Sequence, residues 1–464
     1  MRRWKHAGVS AIAIGSAVAA GCSKGGTSAV PGADARRATP VVKVGPWDWN
    51  GVIGTGQSLS VGVKGAAVTL TKQPFGNLKL SLGNAIVTEP PYQPDNPHLA
   101  LVPLVEPIRP ETRTYPAAYP INIWGESPHT AMADEISALY RTDAAGDFVT
   151  VHTVVGESGQ ALSVIERQVE PLPDRGHAFA ASLFEVAAIT RLAAAAGKTY
   201  GVGAVVLTHG ETDAMNQNYE QGILRLADDY NASIRAITQQ EQAVPLLLTQ
   251  QHAAPGAVGR AGSPIAQWKA AMDRPGAIVC VGPKYQYPYA PDALHLTAAG
   301  YDRLGEKYGE VYYERVVLGR AWRPLEPIAA TRDGRRVVLT FHVPYPPMAW
   351  DDALPSPHAA AHPAWAKGRG FEVEDRTGEL TIASVTLGGA TVTIELANEP
   401  TAPDLVARYA MTQDGDGNQG GRADGRIGQL RDSDPLIGYA TKQPQYDYAV
   451  AFEVPVPWTR PGAP

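Results

Sequence analysis

The chain has 464 residues, 44% of them hydrophobic and 19% charged, and a net charge of −6. That length exceeds one typical domain, and the composition can fill a sizeable core, which excludes a wholly disordered chain and argues for two folded units plus tails. The acidic balance, with no long basic run after the first few residues, argues against a nucleic-acid partner.

In chain order, a targeting segment comes first. Arg2, Arg3 and Lys5 precede an apolar stretch, Ala7 to Ala20, that is too short for a permanent membrane span. It runs into Ala19-Ala20-Gly21-Cys22, which resembles a bacterial lipoprotein cleavage site with Cys22 as the lipidated residue. A plain secretory signal is the alternative, and both readings export the protein. Ser23 after the cysteine favours, by analogy, the outer membrane and so a lipid-anchored place in the cell envelope. Residues 23–45 are rich in Gly, Ala, Ser and Pro and read as a flexible tether.

From residue 46 to 320, short apolar runs alternate with amphipathic segments, the pattern of an α/β domain built on a parallel sheet. Five strands are expected: Gly51–Thr55, Val149–Val155, Ala204–Thr208, Val244–Thr249 and Ala277–Val281. Helices are expected over 178–196 and 219–237, from Ser263 (as N-cap, with Pro264 at N1) and from Thr297. These elements imply a three-layer, doubly wound five-stranded sheet. The Pro-rich stretch 72–128 fits poorly and reads as a long irregular connection beside a cleft. Beyond Trp322 the runs are β-like, over 337–343, 381–387, 391–396, 405–410 and 448–454, so residues 325–464 are expected to form a β-sandwich.

Chemistry concentrates just past the strands. Gly56-Gln57-Ser58 places a hydroxyl at the carboxyl edge of the sheet, where open α/β sheets bind ligands. A serine nucleophile needs a base, and the base needs a carboxylate to fix its tautomer; Asp292 and His295 supply that pair within one loop. His209-Gly210-Glu211-Thr212-Asp213 offers polar donors, and Gly156-Glu157-Ser158-Gly159-Gln160 offers a further glycine N–H. Each fragment alone reads equally well as a loop serine, a surface histidine, a helix cap or a turn.

Other features carry less. If Cys22 is lipidated, Cys280 stands alone in a β-like run and is expected to be a buried structural thiol. His358 and His362 lack a third metal ligand. Asp414-Gly-Asp416-Gly-Asn418 begins like a calcium loop but has Gly425 at the twelfth position, where the bidentate Glu is needed. No metal and no cofactor are expected. Trp47, Trp49, Trp124, Trp350 and Trp365 are candidates for sugar stacking, with core packing the commoner role.

Taken together, Gly56-Gln57-Ser58, the Gly159 loop, His209 to Asp213 and Asp292-x-x-His295 resemble the blocks of the SGNH (GDSL-type) hydrolases, and within them the sialate O-acetylesterase and acetylxylan esterase branch. The resemblance covers about residues 46–318. It implies Ser58 as nucleophile, His295 as general base and Asp292 as its partner, with the N–H groups of Ser58 and Gly159 in an oxyanion hole to which Gly210 adds backbone. His209 stands where that branch has Gln, and Thr212 where the wider superfamily has its oxyanion Asn, so the third donor is open between them. Leu59 replaces the Asn that often follows the nucleophile. Gln57, Glu211 and Asp213 are the expected substrate-binding residues. The expected function is an exported serine esterase that removes acyl groups, chiefly acetyl, from a carbohydrate, without a cofactor. A lipase or thioesterase, or a non-catalytic glycan-binding lipoprotein, is the alternative; oligomeric state is not legible.

Overall fold

A computed structural model describes residues 47–82, 89–109, 119–120, 125–252, 259–260, 262–358, 362–413 and 426–462. Cys22, the tether, Trp124 and the Asp414 to Asn418 segment lie outside the described residues. The chain opens with β1 (Trp49–Gly56), β2 (Leu78–Ser81), β3 (Ala100–Pro103), α1 (Pro128–Asp143) and β4 (Val149–Gly156). Next come α2 (Leu162–Ile165), α3 (Ala178–Ala195), β5 (Tyr200–Thr208), α4 (Tyr219–Thr238) and β6 (Leu246–Thr249). The two-residue strand β7 (Gly259–Arg260), α5 (Ser263–Asp273), β8 (Ile278–Gly282) and α6 (Ala298–Tyr312) complete this part.

The principal sheet has seven strands in the order β3-β2-β4-β1-β5-β6-β8. The five expected strands are present and parallel. The expectation of a five-stranded, all-parallel sheet is corrected by β2 and β3, which add to the edge beside β4. β3 runs antiparallel to β2, so the sheet is mixed. Both come from the stretch read as irregular. At four residues each, with Lys79 and Ser81 interrupting the apolar pattern, they give too short a period-2 signal to separate from loop.

Sheet side chains divide between two apolar clusters. Ile53, Val205 and Leu207 pack with α3 and α4 residues such as Phe179, Ile189, Ile223 and Leu226. Val52, Ala204, Val206 and Leu247 pack with α1 and α6 residues such as Ile136, Tyr301 and Leu304. Each such side chain, fully buried, contributes about 1.5–3 kcal/mol relative to exposure. The helix α3 has the length and apolarity of a membrane span, yet it packs on β1, β4 and β5 as a core helix. The helix α5 is capped by Gly262, one residue before the expected Ser263, without a side-chain cap bond. Thr297 does cap α6, its hydroxyl accepting from Gly300 N–H at 3.2 Å.

The remaining chain forms β9 (Glu326–Asp333), β10 (Arg336–His342), β11 (Ala349–Trp350), β12 (Phe371–Asp375), β13 (Gly378–Glu379) and β14 (Ile382–Gly388). It continues through β15 (Thr391–Leu396), β16 (Leu405–Tyr409), β17 (Thr412–Gln413), β18 (Leu430–Arg431), β19 (Phe452–Val456) and β20 (Trp458–Thr459). Antiparallel sheets of five strands (β14-β15-β10-β9-β20) and four strands (β13-β12-β16-β19) share one core. Phe341 from the first meets Phe371 and Phe452 from the second, with ring centroids 6.5 and 6.1 Å apart.

This β-rich part is bonded tightly to the α/β part. The strand β7 pairs with β17. Gln250 exchanges two side-chain bonds with the Ala451 backbone, both 2.8 Å. Trp268 Nε1 donates to Glu326 at 2.6 Å. Buried Lys307 donates to Glu310, to the Gln445 carbonyl and to Asp447.

Candidate active site

Strand register assembles the site. Gly56 lies opposite Gly156 on one side and opposite Thr208 on the other. The segments leaving β1, β4 and β5 therefore emerge side by side at the carboxyl edge. Gly56 has φ +141°, and a Cβ there would sit 2.1 Å from the Thr208 carbonyl oxygen, so only glycine fits. The chain then turns through one tight 3₁₀ turn, Ser58–Ser60, fixed by Ser60 Oγ donating to the Gln57 carbonyl at 2.6 Å. Leu59, in the place of the expected Asn, is buried in the cluster with Val52 and Val206, which accounts for an apolar residue there.

The loop before α6 brings the other partners. Ala293 adopts a left-handed conformation, φ +54°, and Ala293 N–H donates to the Ala290 carbonyl at 2.9 Å. This turn folds Asp292 back so that its Oδ1 accepts from Leu294 N–H (3.1 Å) and His295 N–H (3.0 Å). Its Oδ2 lies 2.9 Å from His295 Nδ1, and His295 Nε2 lies 2.8 Å from Ser58 Oγ. Burial opposes ionisation of Asp292, but the bonds from His295 and Leu294 prevail and hold its carboxyl below the ordinary value. Ser58 is buried at the sheet edge, 8% exposed.

Three loops are tied to one another beneath this row. Glu211 is buried; its Oε2 accepts from Gln57 Nε2 at 2.9 Å and its Oε1 from Lys284 Nζ at 2.7 Å. Lys284 is itself fully buried. Asp213 accepts from Leu162 N–H at 2.6 Å and from Asn216 Nδ2 at 2.6 Å. Gln57, Glu211 and Asp213, expected to bind substrate, are thus 3–5% exposed and engaged with protein groups. His209 is buried with both ring nitrogens engaged: Nε2 lies 3.0 Å from the Gln160 carbonyl and Nδ1 2.9 Å from Tyr219 OH. A carbonyl only accepts, so Nε2 carries the proton. Burial pushes the His209 pKa down, which favours this neutral form. Thr212 is exposed beside it. Gly159, φ +71°, has nothing within 4 Å of where a Cβ would lie, so its backbone is open to a ligand. Glu157, in the same loop, accepts from the N–H groups of Gly176, His177 and Ala178 and anchors the loop to the N-terminus of α3.

No protein-family model matches the chain, and no curated protein matches it. Among solved structures, a carbohydrate acetylesterase from Xanthomonas citri aligns over 87% of this chain and 80% of its own, with TM-score 0.50 and 12% identity. The chain shares that esterase's fold. The coverage is too large for the α/β part alone, so this likeness takes in β-rich residues as well. A protein from Arabidopsis thaliana aligns over 57% of this chain and 99% of its own (TM-score 0.40, 18% identity). NanS aligns over 57% and 96% (TM-score 0.33, 12% identity). The resemblance to carbohydrate esterases implied by the motifs is met at the level of fold.

Sequence reading missed Lys284, Gln251, Gln267 and Arg426. Lys284 had a usable signal: a lysine two residues past an apolar strand, at the same sheet edge as Ser58. Arg426 had none. It arrives from the β-rich part, fully buried, and donates to Gln251 Oε1 at 2.7 Å. Gln251 N–H donates to Gln267 Oε1 at 2.6 Å, and Gln267 Nε2 to the His209 carbonyl at 2.7 Å. The other singled-out residues lie elsewhere. Trp47 and Trp49 stand at the amino end of β1, away from Ser58, and Trp365 is fully buried. His362 stacks on Trp365, and His358 lies 3.4 Å from Glu372. Cys280 is buried in β8, and burial pushes its thiol up to about 12.

Proposed function

We propose that this chain is a serine esterase that removes acetyl groups from a carbohydrate, with Ser58 as nucleophile, His295 as general base and Asp292 as its orienting carboxylate. The continuous run from Ser58 Oγ through His295 to Asp292, at 2.8 and 2.9 Å, carries the reading. In the first step His295 Nε2 takes the Ser58 proton as Oγ bonds to the acetyl carbon. The carbonyl electrons move onto oxygen, toward the N–H groups of Ser58 and Gly159. His295 then returns the proton to the departing sugar oxygen as the ester C–O bond breaks, leaving acetyl-Ser58. Water, deprotonated by His295, attacks this ester; Ser58 regains its proton and acetate leaves. His209 acts one position back in this scheme, holding the Gln160 carbonyl and so the Gly159 loop. Thr212, exposed, remains available as a further donor.

The acetyl and carbohydrate parts are supported by likeness to a fold used by a carbohydrate acetylesterase, an argument by analogy. The division of sheet residues between two clusters supports the three-layer arrangement. The order of basic, apolar and Gly-Cys segments supports export with lipid on Cys22, which loss of labelled palmitate in Cys22→Ser would check. The decisive test is hydrolysis of p-nitrophenyl acetate and palmitate, with acetate release from acetylated xylan and O-acetylated sialic acid. Ser58→Ala should lower kcat by about 10³-fold or more at unchanged melting temperature. Undiminished acetyl-ester hydrolysis in that variant removes the catalytic assignment, and a preference for palmitate removes the carbohydrate one.

A further inference from the structure

A cavity of about 380 Å³ lies where the α/β and β-rich parts meet. It is walled by the segment leading into β8 and the first residues of β8, at the opposite end of that strand from Lys284 and the Ser58 site. Its polar lining is unbalanced. Arg315, Arg320, Arg323 and Arg460 face one carboxylate, Glu326. Adding Glu314, which pairs with Arg320 at 3.0 Å, leaves four cations against two anions.

Glu326 is already fully committed. Its Oε2 accepts from Trp268 Nε1 at 2.6 Å, and its Oε1 lies 2.8 Å from Arg323 Nε and 3.3 Å from Arg460 Nε. Arg323 Nη2 and Trp322 Nε1 are both buried and have no acceptor among the described residues. Buried donors without acceptors are rare in folded proteins, because each forgoes its bond to water. The charges of Arg460 and Arg323 repel one another rather than offset. Burial, and then these two guanidinium groups, hold the nearby His342 imidazole down at about 4. The region is short of negative charge and of acceptor atoms.

We propose that this cavity is a binding site for a small oxyanion-bearing molecule, a carboxylate or a phosphate, received by the guanidinium groups of Arg323 and Arg460. Guanidinium groups present paired N–H donors that match the two oxygens of such a group. The volume falls within the range of small-molecule sites and accommodates a single acidic sugar or a sugar phosphate. The proposal is independent of the esterase reading.

The test is calorimetric titration of the full-length protein with glucuronate, with inorganic phosphate and with uncharged glucose. Saturable binding of either anion, and none of glucose, is expected; which anion binds distinguishes an acidic sugar from a phosphate source. Arg323→Gln should weaken that binding at least tenfold. Because Arg323 also holds Glu326, Arg460→Lys serves as the milder variant: it keeps the charge, removes the paired donors and should weaken binding about threefold. Absence of saturable binding of both anions to the wild-type protein, or wild-type affinity retained in both variants, overturns the proposal.

Discussion

Replacing Asp292 by Asn tests the proposed chemistry most sharply, because the two residues have the same shape. In the wild-type arrangement Oδ2 accepts from His295 Nδ1–H, which leaves Nε2 free to take the Ser58 proton. Asn can keep its oxygen on the Leu294 and His295 N–H groups only by aiming its NH₂ at Nδ1. That forces the proton onto Nε2, the wrong tautomer for a base. Flipping the amide restores the tautomer but points donors at two backbone donors. Either way the imidazolium also loses a carboxylate about 4 Å away, worth about 4 kcal/mol at an effective dielectric near 20. Asp292 is 32% exposed, so solvent recovers part of this. A barrier increase of about 3–4 kcal/mol then remains, a fall in kcat of about 10²–10³-fold. The assay is steady-state hydrolysis of p-nitrophenyl acetate beside a thermal melt. A kcat within threefold of wild type in a folded variant refutes the relay, as does a loss fully accounted for by unfolding.

Lys284→Met would leave the Glu211 carboxylate buried without its cation, and should destabilise the protein by about 3–5 kcal/mol in a denaturant titration. Adding Glu211→Gln should recover most of that, and failure to do so would show that Lys284 acts through packing alone. Burial raises Asp134 to about 7 and Glu135 to about 8, so the folded state holds protons that the unfolded chain has released. Their stabilising effect is full below the unfolded values near 4 and is lost as pH rises through about 7 to 8. Melting temperature should therefore fall between about pH 4 and 8, and Glu135→Gln should flatten that slope.

Much of this was legible in the sequence, for physical reasons. Strands buried on both faces read as continuous apolar runs, and β1, β4, β5, β6 and β8 announce themselves that way. Ser58, Asp292 and His295 follow because glycine and proline mark where the strands and loops turn. What escaped depends on tertiary context. The short edge strands β2 and β3 carry too few residues for a period. The helix α1 was not expected, because it follows a stretch that reads as loop; Ser127 caps it, accepting from His129 N–H at 3.3 Å. No spacing rule links Arg426 to Gln251 across 175 positions. The burial of Gln57, Glu211 and Asp213 likewise cannot be read from their polarity, which resembles that of residues facing a ligand.

The bonds made by Lys307 have a consequence for synthesis. Its partners include the Gln445 carbonyl and Asp447, more than 130 positions downstream. At about 5–20 residues per second, the nascent chain waits roughly 7–28 s between making that lysine and making its partners. During this interval α6 can form, with Glu310 beside the lysine but without the Gln445 carbonyl and Asp447 that complete its bonds. The α/β part therefore leaves the ribosome unfinished, and its last polar groups are covered only when the tail arrives.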